Sequence, residues 1–228
     1  MTAFVLGATG FVGREVVRQL AVRATPVIAH IRPDSRSLDE WRGKLGALGA
    51  KIDTSPWQPA ALAKALDAND VTELYILIGT TRGRAKAEAL DGDIYEKVDY
   101  GLTKIAVDAV QLAKVKPRLV YLSGLGADAN ARGAYMKARG KAEDAVRGAG
   151  VPWVIARPAI ITGDRDDSRA GERTAAVVGD GLLAVAGLFS RSLRAKWRST
   201  TPDVLGSALI RIGEAPEHDR VFDGADLR

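Results

Sequence analysis

Three glycines stand at intervals of three residues near the N-terminus, Gly7, Gly10 and Gly13, directly after a short apolar run. A glycine-rich turn between a strand and a helix can hold the pyrophosphate of a dinucleotide, because the backbone comes close to the phosphates and the amides at the helix N-terminus favour negative charge. The spacing is G-x-x-G-x-x-G and not G-x-G-x-x-G, but the preceding strand and the following amphipathic helix give the required context. The sequence predicts that the cofactor-binding residues of this turn are Gly7, Thr9, Gly10, Phe11, Val12 and Gly13.

The end of the second apolar run bears on the choice between NADP and NAD. NAD-specific sites usually carry an acid about 20 residues beyond the turn, where it binds the ribose 2′-hydroxyl, whereas an arginine there suits a 2′-phosphate. This chain has Arg32 at that place, and Arg36 can assist. Asp34 is the alternative, since it would reach a ribose diol if the loop folds back. We therefore expect NADP (NADPH) to be favoured over NAD.

The composition excludes several kinds of chemistry. The chain has 228 residues, no cysteine and two histidines, His30 and His218. Disulfides, thiolate nucleophiles and cysteine-ligated metals are therefore excluded, and no metal site is expected. The net charge of +5 can attract anions. The densest basic stretch, residues 191–198, has Trp197 as its one aromatic residue, so no nucleic-acid binding is expected.

The N-terminal apolar run is broken by glycine too soon for a signal peptide, and no apolar stretch reaches the length that spans a membrane. We therefore expect no membrane span and a cytoplasmic location.

Short apolar runs alternate with segments of helical periodicity along the chain. The predicted strands are Ala3–Leu6, Pro26–Ile31, Leu74–Ile78, Leu119–Leu122 and Val154–Ala156. The most regular helical patterns cover 94–112 and 135–145. Strands that are apolar throughout indicate a parallel sheet covered on both faces, which is the α/β class with a Rossmann-type doubly wound sheet. We expect a single domain over residues 1–228, with residues from about 160 to 228 forming a small C-terminal cap on the substrate side.

Four segments resemble the atypical short-chain dehydrogenase/reductase superfamily, in particular its Tat-interacting-protein-like (NmrA-type) branch. They are Gly7–Gly13, Gly79–Gly83, Leu122–Asp128 and Arg157–Glu172. The first segment is generic to the superfamily, while the second and fourth are more specific to the branch. The resemblance covers almost the whole chain and implies a nicotinamide cofactor. It places Gly79, Thr80 and Thr81 in the loop that passes the cofactor ribose, Ser55 near the adenine, and Pro158 beside the nicotinamide ring.

The resemblance also implies a Ser/Tyr/Lys catalytic set, of which two members are present. Ser123 matches the serine that binds the substrate carbonyl, and Tyr135 matches the tyrosine that transfers the proton. Position 139, four residues after the tyrosine, is arginine where the family has lysine. Lys137 and Lys141 cannot easily replace it, because residues two or six apart project from different faces of a helix.

Two functions remain open on these residues. Hydride transfer needs the cofactor for the hydride and the protein for orientation and the proton. If Arg139 keeps the positive charge beside Tyr135, the protein is an NADPH-dependent oxidoreductase that reduces a small or medium carbonyl or enone. Because a guanidinium cannot relay a proton as an ammonium does, the alternative is a catalytically weak NADPH-binding regulatory or scaffold protein. In a purely structural role, Arg139 would pair with a surface acid.

Two further stretches concern partners. The charged stretch 164–173 is predicted to form a loop beside the entrance for the small-molecule substrate. The apolar segment 177–189 is interpreted as a buried helix under the cap, with a subunit interface or a membrane-surface element as alternatives. A homo-oligomer or a protein partner therefore stays open.

Overall fold

The computed structural model describes residues 1–80, 94–162 and 199–228. Seven strands of these ranges form one parallel sheet. The strands are β1 (Ala3–Leu6), β2 (Val27–His30), β3 (Lys51–Asp53), β4 (Glu73–Ile76), β5 (Arg118–Leu122), β6 (Trp153–Arg157) and β7 (Arg220–Asp223). Their order is β3-β2-β1-β4-β5-β6-β7, with every neighbouring pair parallel. The strand order reverses beside β1, which is the topology of a Rossmann sheet. The predicted doubly wound parallel sheet is confirmed.

Helices cover both faces of this sheet. They are α1 (Gly13–Val22), α2 (Leu38–Ala47), α3 (Pro59–Ala68), α4 (Leu102–Leu112), α5 (Ala134–Arg147) and α6 (Pro202–Glu214). A π-helix over Tyr95–Gly101 runs directly into α4, and a 3₁₀-helix covers Gly224–Leu227. Apolar side chains of α1, α2 and α6 pack on one face, and those of α3, α4 and α5 pack on the other.

The two-sided burial explains why the strands are apolar throughout. All four side chains of β1 are buried, with Ala3 and Val5 in one core layer and Phe4 and Leu6 in the other. Burying one such large apolar side chain contributes roughly 1.5–3 kcal/mol. The central strand therefore has no solvent-facing position that a polar residue could occupy without cost.

The C-terminal residues complete this core. Helix α6 buries Leu205, Leu209 and Ile212 in the same layer as α1, and β7 extends the sheet beside β6, with Ile155 opposite Val221. Residues 202–228 therefore belong to the sheet and its covering layer and not to the small cap to which residues from about 160 were expected to contribute; the cap itself stays a prediction. The physical reason is that an amphipathic helix and a strand need partners for their apolar side chains and backbone amides, which the sheet supplies.

Several predicted segments lie outside the described residues. They are Thr81, the charged stretch 164–173, the apolar segment 177–189 and the basic stretch 191–198. No helix in the described ranges is long and apolar enough to cross a membrane.

Candidate functional site

The glycine-rich turn joins β1 to α1 at the carboxyl edge of the sheet, where the strand order reverses. Gly7 has a positive φ of 83°, and a Cβ there would lie 2.6 Å from the Leu77 carbonyl oxygen. A Cβ on Gly13 would lie 2.0 Å from the Gly7 carbonyl oxygen. Both glycines are thus required by close backbone packing, because neither position has room for a side chain.

Gly10 is different from its two partners. Its amide donates to the Gly7 carbonyl at 2.9 Å, which closes the turn. A Cβ on Gly10 would meet the Gly7 carbonyl oxygen at 3.1 Å and no other described atom within 4 Å. Gly10 therefore presents bare backbone beside the N-terminus of α1, where the Arg14 amide donates to the Gly10 carbonyl at 3.0 Å and the helix dipole favours negative charge. This arrangement fits the pyrophosphate of a dinucleotide.

Polar residues follow β2 and β3, the two strands on the outer side of β1. The Arg32 side chain is 39% exposed, with its guanidinium 3.9 Å from the Asp34 carboxylate, and Arg36 is exposed. Ser55 donates its amide and its hydroxyl proton to the Asp53 carboxylate, each at 3.0 Å. The structure therefore brings Arg32 and Ser55 to the ends of neighbouring strands, with Asp53 fixing the second loop.

His30 at the end of β2 supports the same loop. Its Nε2 lies 2.9 Å from the Ser55 carbonyl oxygen, and its ring packs edge-on to Trp57 with centroids 4.9 Å apart. Burial lowers the pKa of His30, so the ring is neutral near pH 7 and its Nε2–H donates to the carbonyl. Sequence reasoning missed His30 and Asp53, because both stand inside short strands and carry no local motif.

Tyr135 and Arg139 share one face of α5, as their spacing of four residues predicts. The Tyr135 hydroxyl points at the loop after β5, since a Cβ on Gly124 would lie 3.4 Å from it. The Arg139 Cζ atom lies 5.4 Å from the centroid of the Tyr135 ring. The structure thus places a half-buried phenol and a cation side by side at the carboxyl edge of the sheet.

The Arg139 guanidinium is buried, and its two terminal nitrogens contact protein groups. It donates to the Leu122 carbonyl at 2.7 Å and to the Tyr121 hydroxyl at 3.2 Å, and it forms an ion pair of 2.9 Å with the buried Asp99 carboxylate. Burial opposes the charged form, but Tyr121, Tyr135 and Asp99 together raise the pKa of Arg139 above its ordinary value. Arg139 is therefore a permanent cation, and its acidic partner is a core residue and not the surface acid of the structural alternative.

Gly79 at the end of β4 makes room for this guanidinium. A Cβ on Gly79 would lie 2.2 Å from the Arg139 Nη2 atom. The next residue, Thr80, is partly buried at the edge of the same loop. A side chain at position 79 would therefore displace the guanidinium from the place that it occupies beside Asp99.

The π-helix supplies two neighbours that sequence reasoning missed. The Tyr95 ring packs edge-on to Tyr135, with centroids 5.3 Å apart at 64°, and Asp99 binds Arg139. The predicted continuous amphipathic helix over 94–112 is wrong for residues 95–101, which have the wider π turn that is frequent at functional sites. The signal was weak, because under α-helical periodicity Asp99 falls only at the border of the apolar stripe formed by Ile94, Val98 and Leu102.

Ser123 is tied to a second buried carboxylate. Its hydroxyl donates to Glu143 Oε1 at 2.6 Å. The Glu143 carboxylate also accepts hydrogen bonds from Arg157 Nε at 2.7 Å and from Arg147 Nη2 at 2.7 Å. The hydrogen bond with Glu143 raises the pKa of Arg157. Donation from Ser123 to a substrate carbonyl therefore requires its hydroxyl to leave Glu143 first.

The end of β6 closes the site on this side. Pro158 is buried, and its carbonyl accepts the Leu125 amide at 2.9 Å, which joins β6 to the loop after β5. Across the described ranges, no group of three or more histidine, aspartate or glutamate side chains is arranged to hold a metal ion.

A Rossmann sheet with a glycine-rich turn at its strand-order reversal defines a nucleotide-binding protein. The sequence profile of the NAD(P)H-binding family matches residues 7–183. The chain belongs to this family, and the turn that its sequence predicted is part of an NAD(P)-binding domain.

The chain is also similar to fungal mitochondrial proteins. It is 31% identical to Protein FMP52-1, mitochondrial, of Scheffersomyces stipitis over 174 residues, which cover 74% of this chain and 71% of that protein. It is 28% identical to Protein FMP52, mitochondrial, of Candida albicans over 184 residues, which cover 79% of this chain and 76% of that protein. These relatives contradict the cytoplasmic prediction, because they are named as mitochondrial proteins.

Solved structures support the fold at low sequence identity. The Citrobacter sp. triphenylmethane reductase complexed with NADP(H) has a TM-score of 0.63 and 20% identity, over 98% of this chain and 69% of that one. The anaerobillin reductase ChuY of Escherichia coli O157:H7 has a TM-score of 0.65 and 15% identity, over 97% and 95% of the two chains. These structures confirm the fold that the resemblance implied, and the family match confirms the NAD(P)-binding domain. The assignment to the NmrA-type branch stays a prediction.

Proposed function

We propose that this protein is an NADPH-dependent oxidoreductase that reduces a small or medium carbonyl or enone. One observation carries the proposal: the Tyr135 phenol points at the loop after β5, with the permanently charged Arg139 5.4 Å from its ring. A phenol beside a fixed cation can give a proton and tolerate the negative charge that develops on its oxygen. Both side chains lie at the sheet edge that carries the glycine-rich turn.

The described residues suit the nucleotide. The turn at Gly10 would hold the pyrophosphate, Arg32 with Arg36 would bind a 2′-phosphate, and Ser55 would lie near the adenine. The loop at Gly79 and Thr80 and the backbone at Pro158 would flank the nicotinamide half. When bound, NADPH supplies the hydride. The preference for NADP over NAD rests on the arginine at position 32.

The protein's own part is to hold the substrate oxygen and deliver the proton. Tyr135 donates to that oxygen, and Arg139 stabilises the resulting phenolate without itself relaying the proton. Ser123 can bind the substrate oxygen after its hydroxyl turns away from Glu143, whose two arginine partners keep the carboxylate satisfied.

The test compares NADPH oxidation by the wild type and by Tyr135→Phe against quinones, aldehydes and cyclic ketones. Removal of the proton donor should lower kcat by about 10²–10⁴-fold, while the NADPH dissociation constant changes little, since the phenol acts mainly in the transition state. Tyr100→Phe is the matched control, because Tyr100 is a half-buried tyrosine of the π-helix that faces Lys141, 5.5 Å from its ring. Equal turnover by wild type and Tyr135→Phe on every substrate would contradict the proposal.

A second candidate is an NADPH-binding regulator with little chemistry. Two contacts favour it: the Ser123 proton is bound to Glu143, and the Arg139 charge is compensated by Asp99. This function predicts that NADPH stabilises the protein, as a ligand of the native state must, while Tyr135→Phe changes neither NADPH oxidation nor partner binding.

A further inference from the structure

The Asp99 side chain is a buried acid with no part in the proton transfer described above. Its carboxylate is fully buried, and Arg139 Nη2 lies 2.9 Å from Oδ1. Its carbonyl accepts the buried Thr103 hydroxyl at 2.7 Å, which anchors this turn of the helix. Removing the Asp99 charge would leave the buried Arg139 cation without this acidic partner, which is costly in a buried ion pair.

The π-helix and α5 meet in register at two consecutive pairs. Tyr95 contacts Tyr135, and four residues further on in both helices Asp99 contacts Arg139. The π-helix thus faces the two residues to which the sequence assigned chemistry. A wider helical turn at this place is an unfavourable backbone geometry that a function can retain.

Arg139 connects the ends of two neighbouring strands. One terminal nitrogen donates to the Leu122 carbonyl at the end of β5, and the other lies beside Asp99 and against Gly79, just beyond β4. A planar guanidinium has donors on both sides and can make these contacts together, whereas a lysine has a single nitrogen. The arginine at this position therefore adds a structural link to the charge that a lysine would provide.

We propose that Asp99 is a positioning residue, which holds the Arg139 guanidinium across the ends of β4 and β5. The guanidinium in turn keeps the loop at Gly79 and Thr80 and the Tyr135 ring in the geometry that binds the nucleotide. The inference rests on the proposed function only for its effect on turnover; its effect on nucleotide binding is independent. Without the Asp99 charge, the guanidinium loses its only described acidic partner and its fixed place under Gly79.

The test uses Asp99→Asn, the double variant Asp99→Leu/Arg139→Met, and Glu96→Gln as control. Glu96 stands on the same π-helix but pairs with Lys141 at 2.7 Å near the surface, where both side chains are more than a third exposed. The readouts are the thermal unfolding midpoint, the NADPH dissociation constant by calorimetry, and kcat with KM.

Asp99→Asn should lower the unfolding midpoint and weaken NADPH binding at least tenfold, while Glu96→Gln changes the dissociation constant less than twofold. The double variant should regain the midpoint, since apolar replacement of a buried pair is often neutral or stabilising, but should keep the weakened NADPH binding. Recovery of both quantities would show a purely structural pair and overturn the proposal, as would wild-type NADPH affinity in Asp99→Asn.

If Asp99→Asn does not fold, Asp99→Glu tests the proposal instead. It keeps the charge and displaces the guanidinium by one methylene, so NADPH binding should weaken at least threefold at a nearly unchanged midpoint; an unchanged dissociation constant would overturn the proposal. Failure of the proposed reductase function would show as equal turnover in wild type and Tyr135→Phe, and it would leave these binding readouts unaffected.

Discussion

Ser123 donates its hydroxyl proton to the buried Glu143 carboxylate across 2.6 Å, and the same carboxylate receives Arg157 from the end of β6. The serine is therefore part of a hydrogen-bonded network that connects the ends of β5 and β6 through Glu143 of α5. The residue to which the sequence resemblance assigned a catalytic role here has a structural partner of its own, and the two roles can be separated by experiment.

Ser123→Ala should cost about 1.5–3 kcal/mol of unfolding free energy, which is the usual contribution of a hydrogen bond to a charged group. Urea unfolding measures this loss. If Ser123 also binds the substrate, kcat/KM falls beyond what the stability change explains at a temperature where both proteins are folded. Ser207→Ala is the control, since Ser207 lies on the exposed surface of α6 and its hydroxyl donates to the Gln19 side chain of α1 at 2.8 Å. Full turnover in Ser123→Ala would assign Ser123 to structure alone.

Substitution at Gly10 and at Gly13 should have different consequences. Gly13→Ala places a Cβ 2.0 Å from the Gly7 carbonyl oxygen, so the strand and helix must separate, at a cost of about 1–3 kcal/mol or more. Gly10→Val should keep the fold and lose the stabilisation by NADPH, which is about 2.7 kcal/mol at a ligand concentration of 100 times the dissociation constant. Thermal unfolding with and without NADPH separates the two effects. A normal NADPH response in Gly10→Val would contradict the placement of the pyrophosphate.

The choice of cofactor should depend on Arg32. If its guanidinium binds the 2′-phosphate, the wild type binds NADPH more tightly than NADH, and Arg32→Asp erases or inverts this preference. Calorimetric dissociation constants for both nucleotides provide the measurement. Arg42→Asp is the control, because Arg42 is an exposed arginine on α2 that pairs with Asp39 at 2.8 Å. Equal affinities for the two nucleotides in the wild type would remove the basis of the NADP assignment.

His30 should make the protein less stable in mild acid. Burial lowers the pKa of His30 in the folded protein, whereas the unfolded chain has the ordinary histidine value of about 6.5. The unfolded state therefore binds a proton first as the pH falls through that value, and the free energy of unfolding decreases until the folded pKa is passed. The measurement is urea unfolding between pH 7.5 and pH 5. Wild type minus His30→Phe isolates the contribution, and His218→Gln, at an exposed position, should retain the wild-type slope.

The sequence alone determined the nucleotide turn and the class of fold. Both depend on local patterns: glycines at fixed intervals between a strand and a helix, and short runs such as Ala3–Leu6 in which every side chain is apolar. These patterns favour a parallel sheet covered on both faces, because a strand that is apolar on both sides needs cover on both faces and helices between parallel strands supply it. The place of Tyr135 and Arg139 on one helix face followed from their spacing in the same way.

Tertiary structure decided the partners of these residues. Nothing near Ser123 or Arg139 in the sequence indicates that Glu143 and Asp99 bind them, because the contacts join separate elements and depend on how those elements pack. The buried Asp99 of the π-helix is an example, because the cation that it contacts, Arg139, comes from another helix. The C-terminal strand β7 joined the sheet for a similar reason, since only the assembled edge of β6 offers its backbone a hydrogen-bonding partner.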